Sequence, residues 1–218
     1  GRDLIDSHFI GVMNLVQSLP KDKLKCFVQI GSSDEYGNAV SPQKETIREQ
    51  SISPYSFSKM AATHFLQMLN QTENFPCIIL RLFLTYGPEQ DIKRFLPQII
   101  IGCLHGRTFP VSEGKQLRDF CYIDDVVDAI LCTLNARNAI GEVINIASGQ
   151  PVSIRSMVNR IQKRIGKGEP LYGAIPYRVG ENMELYASIG KARHLLGWSP
   201  NITLEEGINK TVAWYERE

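Results

Sequence analysis

The chain has 218 residues, and 43% of them are hydrophobic, which is sufficient for a packed core in one large domain or two small ones. Its 24 lysines and arginines are balanced by 23 aspartates and glutamates, without a long run of either sign. Bulk charge and the lack of an apolar run of roughly 20 residues therefore give no reason to expect a nucleic acid or a membrane as a partner.

The first part of the chain contains patterns for a helix, a strand and a second helix. GRDLIDSHFIGVMNLVQSL has the spacing of an amphipathic helix, and KCFVQIGSS that of a buried strand running into a turn. Polar residues fill positions 38 to 52. Ser53 is suited to cap a helix and Pro54 to occupy its first position, so PYSFSKMAATHFLQMLNQ is predicted to be helical.

The next segment continues this alternation. CIILRLFLTYG predicts a second strand and a loop, and RFLPQIIIGCLHG a helix with Pro97 in its first turn and Gly106 just past its end. Strand, loop, helix and strand in this order are typical of an α/β domain with a parallel sheet.

The second half of the chain is more mixed. TFPVSEG, LRDFCYI and EVINIA are predicted to be short strands. Asp124 can cap a helix over DDVVDAILCTLNA, and Ser153 one over SIRSMVNRIQKRIG. Thr203 and Glu206 match a capping box for the terminal helix LEEGINKTVAWYERE. These patterns predict a mixed C-terminal lobe on an α/β core.

The five cysteines stand singly in apolar segments, at Cys26, Cys77, Cys103, Cys121 and Cys132. Because no C-x-x-C pair occurs, neither a zinc site nor a disulfide framework is indicated, and no metal is expected. A reducing, cytoplasmic setting fits this usage best.

Tyr55 and Lys59 form a candidate proton-transfer pair, because residues i and i+4 lie on the same face of a helix. A phenol with an unperturbed pKa of ~10 is a poor base at neutral pH, but a neighbouring ammonium favours the phenolate and lowers that pKa. Such a pair can take or give a hydroxyl proton. Taken alone, a Tyr-x-x-x-Lys spacing is weak, and two polar residues on the solvated face of a helix are its commoner explanation.

The stretch GSSDEYG, residues 31 to 37, places hydroxyls and carboxylates at the end of the first predicted strand. Open α/β sheets bind ligands beside the carboxyl ends of their strands, which makes this turn a candidate binding site. The alternative is a polar turn whose Ser and Asp side chains satisfy neighbouring backbone groups.

Six motifs, in order, resemble the extended short-chain dehydrogenase/reductase family, which includes the nucleotide-sugar epimerases, dehydratases and 4-ketoreductases. GSSDEYG resembles the family's serine/threonine motif ending in Tyr-Gly, YSFSK its Tyr-x-x-x-Lys, and RLFLTYGP its Arg-x-Phe-Asn-x-Tyr-Gly-Pro. QLRDFCYIDDVVDAI, GEVINIASGQPVSI and KARHLLGWSPNITLEEGINKTVAWY resemble three later motifs. The likeness runs from about residue 5 to the end.

The resemblance implies a Rossmann-like, doubly wound parallel sheet with a small mixed C-terminal substrate-binding lobe. Residues 1 to 104 would form the C-terminal half of the dinucleotide-binding domain. Residues 105 to 218 would form mainly the substrate-binding lobe, with about 118 to 147 returning to the core. No Gly-x-x-Gly-x-x-Gly occurs, and in this family that motif precedes the region matched here. We therefore expect an incomplete sheet whose first strands are missing from this sequence.

The resemblance also implies catalytic and cofactor-binding residues around a nucleotide-sugar substrate and NAD or NADP. Tyr55 would be the acid/base, and Lys59 would lower its pKa while holding the nicotinamide ribose. Ser32 would orient the oxygen at carbon 4 of the sugar. Ser33 and Asp34 occupy positions where dehydratases carry Asp-Glu or Ser-Glu as further catalytic groups.

Substrate-binding positions are implied as well: Leu84, Phe109, Val111, Arg118 and Arg178. The two arginines would hold the substrate pyrophosphate, for which a planar and always charged group is suited. Phe109 and Val111 would line the nucleotide-base pocket, although a core strand explains them almost as well. Leu84 and His8 occupy positions that are commonly Asn in the family.

The form Ser-Ser-acid-Glu-Tyr-Gly resembles the 4-keto-6-deoxyhexose reductases more than the dehydratases, so such a reductase is the first prediction. A nucleotide-sugar 4-epimerase or 4,6-dehydratase of the same family is the alternative. A non-catalytic sugar-nucleotide binding protein is the alternative from another class. Relatives commonly pair through the helix that holds Tyr55 and the helix before it, so a homodimer is expected.

Overall fold

Helices and strands alternate along the chain in this computed structural model, which describes residues 1–217. The strands are β1 (Phe27–Ser32), β2 (Cys77–Leu82), β3 (Leu84–Tyr86), β4 (Thr108–Val111), β5 (Leu117–Tyr122), β6 (Val143–Ile146), β7 (Pro151–Ser153), β8 (Glu169–Tyr172) and β9 (Glu184–Leu185). The α-helices are α1 (Arg2–Ile5), α2 (Gly11–Ser18), α3 (Pro54–Glu73), α4 (Phe95–Leu104), α5 (Ile123–Thr133), α6 (Ile154–Ile165), α7 (Gly190–Leu196) and α8 (Leu204–Tyr215). The predicted α/β class is confirmed.

A parallel sheet with the strand order β1-β2-β6 carries the first predicted motifs. Strand β2 lies in the middle, and its first five residues are buried, which is why the run Cys77–Arg81 is apolar except for its last member. Gly31 of β1 is paired with Arg81 of β2. The register therefore sets a charged side chain beside the end of β1.

Helix α3 connects β1 to β2 and covers the sheet with Leu66 and Leu69. Its start agrees with the sequence, since the Ser53 hydroxyl accepts a hydrogen bond from the Ser56 amide and Pro54 is the first helical residue. Helices α1 and α2 are separated by a π-helical stretch, Asp6–Ile10, and this composite helix packs along α3. The amphipathic N-terminal helix is thus present, with a π-helical interruption that the spacing did not indicate.

A second, mixed sheet surrounds β5. Strands β3 and β9 pair with β5 in parallel, and β7 pairs with it in antiparallel orientation. Strands β4 and β8 form a separate parallel pair. Helices α4, α6 and α8 share one apolar cluster that includes Ile100, Met157 and Val212. This arrangement agrees with the predicted mixed character of the second half of the chain.

Two predicted helix caps are wrong in detail. Asp124 does not cap α5, because Tyr122 precedes the helix and no side chain caps it, so Asp124 lies within the first turn. The Thr203 hydroxyl does accept a hydrogen bond from the Glu206 amide. The return bond of a capping box is not formed, because the Glu206 carboxylate pairs with Lys210, one helical turn further on.

The neighbouring Asp125 is buried and holds a distant segment. Its two carboxylate oxygens accept hydrogen bonds from the amides of Asn201 and Ile202, at 2.8 and 3.1 Å. The Trp198 indole donates to the Asp125 carbonyl at 3.0 Å. Asp125 therefore ties the segment before α8 to the start of α5.

Replacement of Asp125 by Asn is expected to lower the free energy of unfolding by about 1–3 kcal/mol, because an amide can accept from only one of the two backbone N–H groups. Chemical denaturation of the variant and the wild type would measure this loss. An unchanged denaturation midpoint would show that the two hydrogen bonds contribute nothing net to stability.

The boundary between a dinucleotide-binding part, residues 1 to 104, and a lobe, residues 105 to 218, stays a prediction. Strand β6 does lie beside β2, so part of the second half joins the first sheet. Among residues 1–217, no helix combines the length and the apolar character that crossing a membrane requires.

Candidate active site

Ser32 is the last residue of β1 and begins a short 3-10 turn, Ser33–Tyr36. Its hydroxyl accepts a hydrogen bond from the Asp34 amide at 3.1 Å, and its own amide donates to the Glu35 carboxylate at 2.8 Å. These two bonds form a capping box and hold the Ser32 side chain at the carboxyl end of the strand. The turn also satisfies its own backbone, as the alternative interpretation of GSSDEYG stated.

Tyr55 and Lys59 reach the same strand end from the first turns of α3. The Lys59 ammonium donates to the Ile30 carbonyl at 2.9 Å and lies 5.9 Å from the centroid of the Tyr55 ring. The Ser32 side chain lies close enough to the Tyr55 phenol to lower its pKa. The structure thus brings Ser32, Tyr55 and Lys59 together, and the Tyr55 side chain is only partly exposed.

The pKa of Tyr55 is shifted upward, whereas the sequence predicted a downward shift. Burial raises this pKa, and the negative charges of Asp34 and Glu35 raise it further, while the Ser32 side chain and the charge of Arg94 oppose them. Lys59 is not among the main influences on this pKa, although its ammonium lies 5.9 Å from the centroid of the Tyr55 ring. The expectation that Lys59 holds the pKa of Tyr55 down is therefore wrong for this arrangement. The phenol is neutral at neutral pH and is a proton donor.

His8 is a further site residue, at a position that the sequence marked only as commonly Asn. It lies in the π-helical stretch, and its ring meets the Tyr55 ring edge to face, with centroids 5.2 Å apart. Burial lowers the pKa of His8, and the charge of Lys59 lowers it as well. The imidazole is therefore neutral at neutral pH and completes one wall around the phenol.

Ser33 and Asp34 differ in their exposure. Ser33 is buried, with 5% of its surface exposed, whereas Asp34 taken as a whole residue is exposed to solvent. The carboxyl of Asp34 is nevertheless crowded by protein, and this burial raises its pKa, while Arg118 and Arg94 act in the opposite direction. Asp34 therefore provides a solvent-accessible carboxyl group close to Ser32. The catalytic role of Ser33 stays a prediction.

Arg118 and Arg178 lie close enough for the charge of Arg178 to act on Arg118, and their binding of a pyrophosphate stays a prediction. Burial lowers the pKa of Arg118, Glu181 and Asp34 raise it, and the charge of Arg178 lowers it. The Arg118 guanidinium forms an ion pair with Glu181 and donates to the Leu117 carbonyl at 2.8 Å. The sequence did not predict Glu181 as a partner of Arg118, although this acidic residue follows Arg178 by three positions.

The remaining predicted contacts are apolar. Leu84 is exposed at 39% of its surface and is paired with Phe120 in the second sheet. Val111 is buried in the apolar cluster beneath α4 and α6. The Phe109 ring lies against Gly102, where an added Cβ would come within 2.9 Å of it. This packing agrees with the core interpretation of Val111, and pocket roles for Leu84 and Phe109 stay predictions.

A cluster of buried charges next to Ser32 was missed by the sequence reasoning. Arg81 and Glu35 are both fully buried and form an ion pair at 2.9 Å. Arg81 also contacts Glu49. One signal for this cluster was present, since Arg81 is the only charged residue in the apolar run CIILRLF, and a buried arginine requires a buried partner.

The arrangement can transfer a proton to or from a hydroxyl-bearing ligand. A phenol, a serine hydroxyl and an ammonium lie at one strand end, with a carboxyl, Asp34, at the open side. Two of the three N–H groups of Lys59 remain for a ligand, since one is used by the Ile30 carbonyl. Two hydroxyls on adjacent carbons, as in a ribose, fit this donor.

The chain matches the NAD dependent epimerase/dehydratase family over residues 1–147. An uncharacterized UDP-glucose epimerase from Bacillus subtilis is 28% identical over 204 residues, which are 93% of this chain and 64% of the relative. The chain therefore spans less than two thirds of the length of this curated relative.

Solved structures of two enzyme types are similar to nearly the whole chain. A UDP-glucose 4-epimerase from Thermotoga maritima with UDP-glucose has a TM-score of 0.91 and 28% identity, and the match covers 98% of this chain and 70% of that one. A dTDP-glucose 4,6-dehydratase from Bacillus anthracis in complex with NAD has a TM-score of 0.90 and 26% identity, covering 98% and 69%.

Proposed function

The chain belongs to the NAD dependent epimerase/dehydratase family, and from this premise we propose that it acts at carbon 4 of a hexose linked to a nucleotide. The observation that carries the proposal is the convergence of Ser32, Tyr55 and Lys59 at the carboxyl end of β1. This is the edge of a parallel sheet at which ligands bind.

The described residues fit the nicotinamide end of NAD or NADP. Lys59 has N–H groups for the ribose hydroxyls, and Tyr55 lies beside it with a phenol that can share the same hydroxyl. When bound, the nicotinamide supplies hydride transfer, which no side chain can perform. The role of this chain is to bind, orient and exchange protons around it.

Tyr55 would exchange a proton with the oxygen at carbon 4. Its raised pKa keeps it protonated at neutral pH, so it is ready to donate to a keto oxygen. In the reverse direction, it would accept the proton of the sugar hydroxyl only as the phenolate, after its own proton has been lost. Ser32 would hold that oxygen by a hydrogen bond, with its own position fixed by the capping box. His8 would limit the movement of the phenol by its edge-to-face contact.

The comparisons favour a 4-epimerase or a 4,6-dehydratase over the 4-keto-6-deoxyhexose reductase that the form of GSSDEYG suggested. An epimerase needs one acid/base group at carbon 4, which Tyr55 supplies. A dehydratase also needs an acid for the departing hydroxyl, and Asp34 is the candidate, because burial raises the pKa of its carboxyl. We propose these two activities as the ones to test first.

The function can be tested with the full-length protein and a panel of UDP-, dTDP-, GDP- and CDP-hexoses. A 4-epimerase yields the C4 epimer with no net change in its NAD, a dehydratase yields a 4-keto-6-deoxy sugar, and a reductase consumes NAD(P)H stoichiometrically. Binding of a sugar nucleotide without any of these conversions would indicate a binding protein and contradict the proposed catalysis.

Arg118 would bind the substrate pyrophosphate together with Arg178. Replacement of Arg118 by Met is expected to raise the KM for the nucleotide sugar by about 10- to 100-fold, because a charged hydrogen bond contributes about 1.5–3 kcal/mol. The effect on kcat should be smaller. Arg164→Met is the matched control, since Arg164 also forms an ion pair with a glutamate, Glu216, near the C-terminal end of α6. Equal KM values for the two variants would contradict the assignment.

We also propose that the chain forms a homodimer through the helices α2 and α3. Leu15 of α2 and Met68 of α3 are exposed at 50% and 46% of their surface and offer apolar area on these two helices for a second copy of the chain. Light scattering on the full-length protein would measure the oligomeric state, and a monomer mass would contradict this part of the proposal.

A further inference from the structure

A fully buried ion pair lies directly behind Ser32 and the first turns of α3. The carboxylate of Glu35 and the guanidinium of Arg81 are both 0% exposed, and the Arg81 Nε donates to Glu35 Oε2 at 2.9 Å. A buried pair of this kind is weak evidence for added stability, because the loss of hydration offsets the attraction between the charges. Its position, rather than its strength, is the notable feature.

Glu35 connects the three elements that form the candidate active site. Its Oε1 accepts from the Ser32 amide at 2.8 Å, and its Oε2 accepts from the Thr63 hydroxyl at 2.9 Å. Thr63 lies on α3, one helical turn after Lys59, and Arg81 lies on β2. One carboxylate therefore links the turn that carries Ser32, the helix that carries Tyr55 and the central strand.

The space for this carboxylate is built into β1. A Cβ added at Gly31 would lie 2.6 Å from Glu35 Oε1 and 3.3 Å from the Arg81 side chain. A larger residue at position 31 would therefore require the Glu35 carboxylate to shift from its place. Gly31 thus leaves space for the carboxylate behind Ser32.

Arg81 is not completely satisfied by its partners. Its guanidinium contacts Glu49 and stacks on the Tyr36 ring at 4.5 Å, but its Nη1 is buried without a hydrogen-bond partner within residues 1–217. An unpaired buried donor costs free energy, which adds to the desolvation of the two charges.

We propose that Glu35 is a positioning residue for catalysis, which holds Ser32 in register with α3 and supplies the negative charge that faces the Lys59 ammonium. This inference rests on the proposed function, because it assigns to Glu35 a role in the reaction of Ser32, Tyr55 and Lys59. Glu35 itself is buried and does not touch the substrate.

The charges around Lys59 and Tyr55 agree with this role. Burial lowers the pKa of Lys59, and the charge of Glu35 opposes that effect. Glu35 also raises the pKa of Tyr55, and His8 is the other titratable side chain against the phenol.

Two more charged side chains act on the phenol from the open side, where Asp34 raises and Arg94 lowers the pKa of Tyr55. These two would be unchanged by a substitution at Glu35. Loss of the Glu35 charge would therefore lower the pKa of both Lys59 and Tyr55.

A single substitution of Glu35 would remove the fully buried partner of Arg81 and leave this arginine its contact with Glu49, so the test uses two double variants that remove the charges of both Glu35 and Arg81. Glu35→Gln with Arg81→Met keeps an oxygen for the Ser32 amide and an amide group for Thr63. Glu35→Leu with Arg81→Met removes these contacts as well. Asp125→Asn is the control for the loss of a buried carboxylate remote from the site.

At saturating sugar nucleotide, the Leu double variant is expected to have a kcat roughly 10- to 100-fold lower than the Gln double variant, with a similar KM, because Ser32 is no longer held. The Gln double variant should keep most of the rate near neutral pH. Its activity should fall at a lower pH on the alkaline side, because the Glu35 charge raises the pKa of both Lys59 and Tyr55, whereas Arg81, which is removed with it, is not among the main influences on either. Asp125→Asn should leave the pH profile unchanged.

A second readout does not depend on turnover. NMR titration of ring-labelled tyrosine, with Tyr55→Phe for assignment, is expected to give a lower pKa for Tyr55 in the Gln double variant than in the wild type. An unchanged titration, together with equal kcat in both double variants, would overturn the proposal and leave Glu35 a structural residue. If the Leu variant does not fold, the titration and the pH profile of the Gln variant decide alone. Failure of the proposed function would show separately, as absence of turnover in the wild type.

Discussion

Replacement of Tyr55 by Phe is expected to lower kcat for the conversion of the nucleotide sugar by about 10²- to 10⁴-fold, which is the usual contribution of one acid/base group. The benzene ring keeps the contact with His8 but lacks the hydroxyl that lies near the Ser32 side chain. Substrate affinity, measured by calorimetry, should change little, because the diphosphate is held elsewhere in the proposal.

The pH dependence of the wild type gives a second measure of the same group. Burial raises the pKa of Tyr55, so a step in which the phenol donates its proton should be independent of pH through neutrality. That step should slow only when the pH rises through the raised pKa. A step that needs the phenolate should instead gain about tenfold per pH unit below that pKa. The direction of the kcat profile therefore shows which proton transfer limits the reaction.

Tyr172→Phe is the matched control for Tyr55→Phe. Burial also raises the pKa of Tyr172, and its phenol is hydrogen-bonded to Asn159 on α6, away from Ser32. This variant should retain the wild-type rate. If Tyr55→Phe were as active as Tyr172→Phe, the assignment of Tyr55 as the acid/base would be refuted.

Replacement of Arg81 by Met is expected to have the largest effect on stability, with a loss of about 3–5 kcal/mol in the free energy of unfolding. The substitution leaves the fully buried Glu35 without the positive charge that faces it, and Glu49 loses its partner as well. Such an orphaned charge costs far more than the pair contributes, because it cannot regain its hydration.

Chemical denaturation would measure this loss, with Arg160→Met as the control. Arg160 pairs with Glu205 on the surface, and both side chains are largely exposed, so its loss should cost less than about 1 kcal/mol. The double variant with Glu35→Gln and Arg81→Met should recover much of the stability. A single Arg81→Met variant as stable as Arg160→Met would contradict the burial of this pair.

The sequence was sufficient for those features that depend on neighbours within a few residues. Ser53 and Pro54 predicted the start of α3, and the apolar run with Cys77 at its beginning predicted the central strand. The pair Tyr55 and Lys59 followed from helical spacing, and the two arginines of the proposed diphosphate site from the family resemblance. Such features involve residues that are close together in the sequence, so they can be predicted without knowledge of the fold.

Only the tertiary structure decided which distant groups meet. Glu35 and Arg81 are 46 residues apart and become partners through the register of β1 with β2. Arg118 meets Glu181 across 63 residues, and His8 reaches Tyr55 from another helix.

The direction in which the pKa of Tyr55 shifts was also decided by the tertiary structure, because burial is its largest cause. A neighbouring lysine in the sequence predicted a lower pKa, but the desolvation of the phenol on folding is the largest effect and raises it. Spacing along a chain defines which groups can approach each other. Charge and solvation at a site are sums over all the elements packed around it, and those sums exist only once the chain has folded.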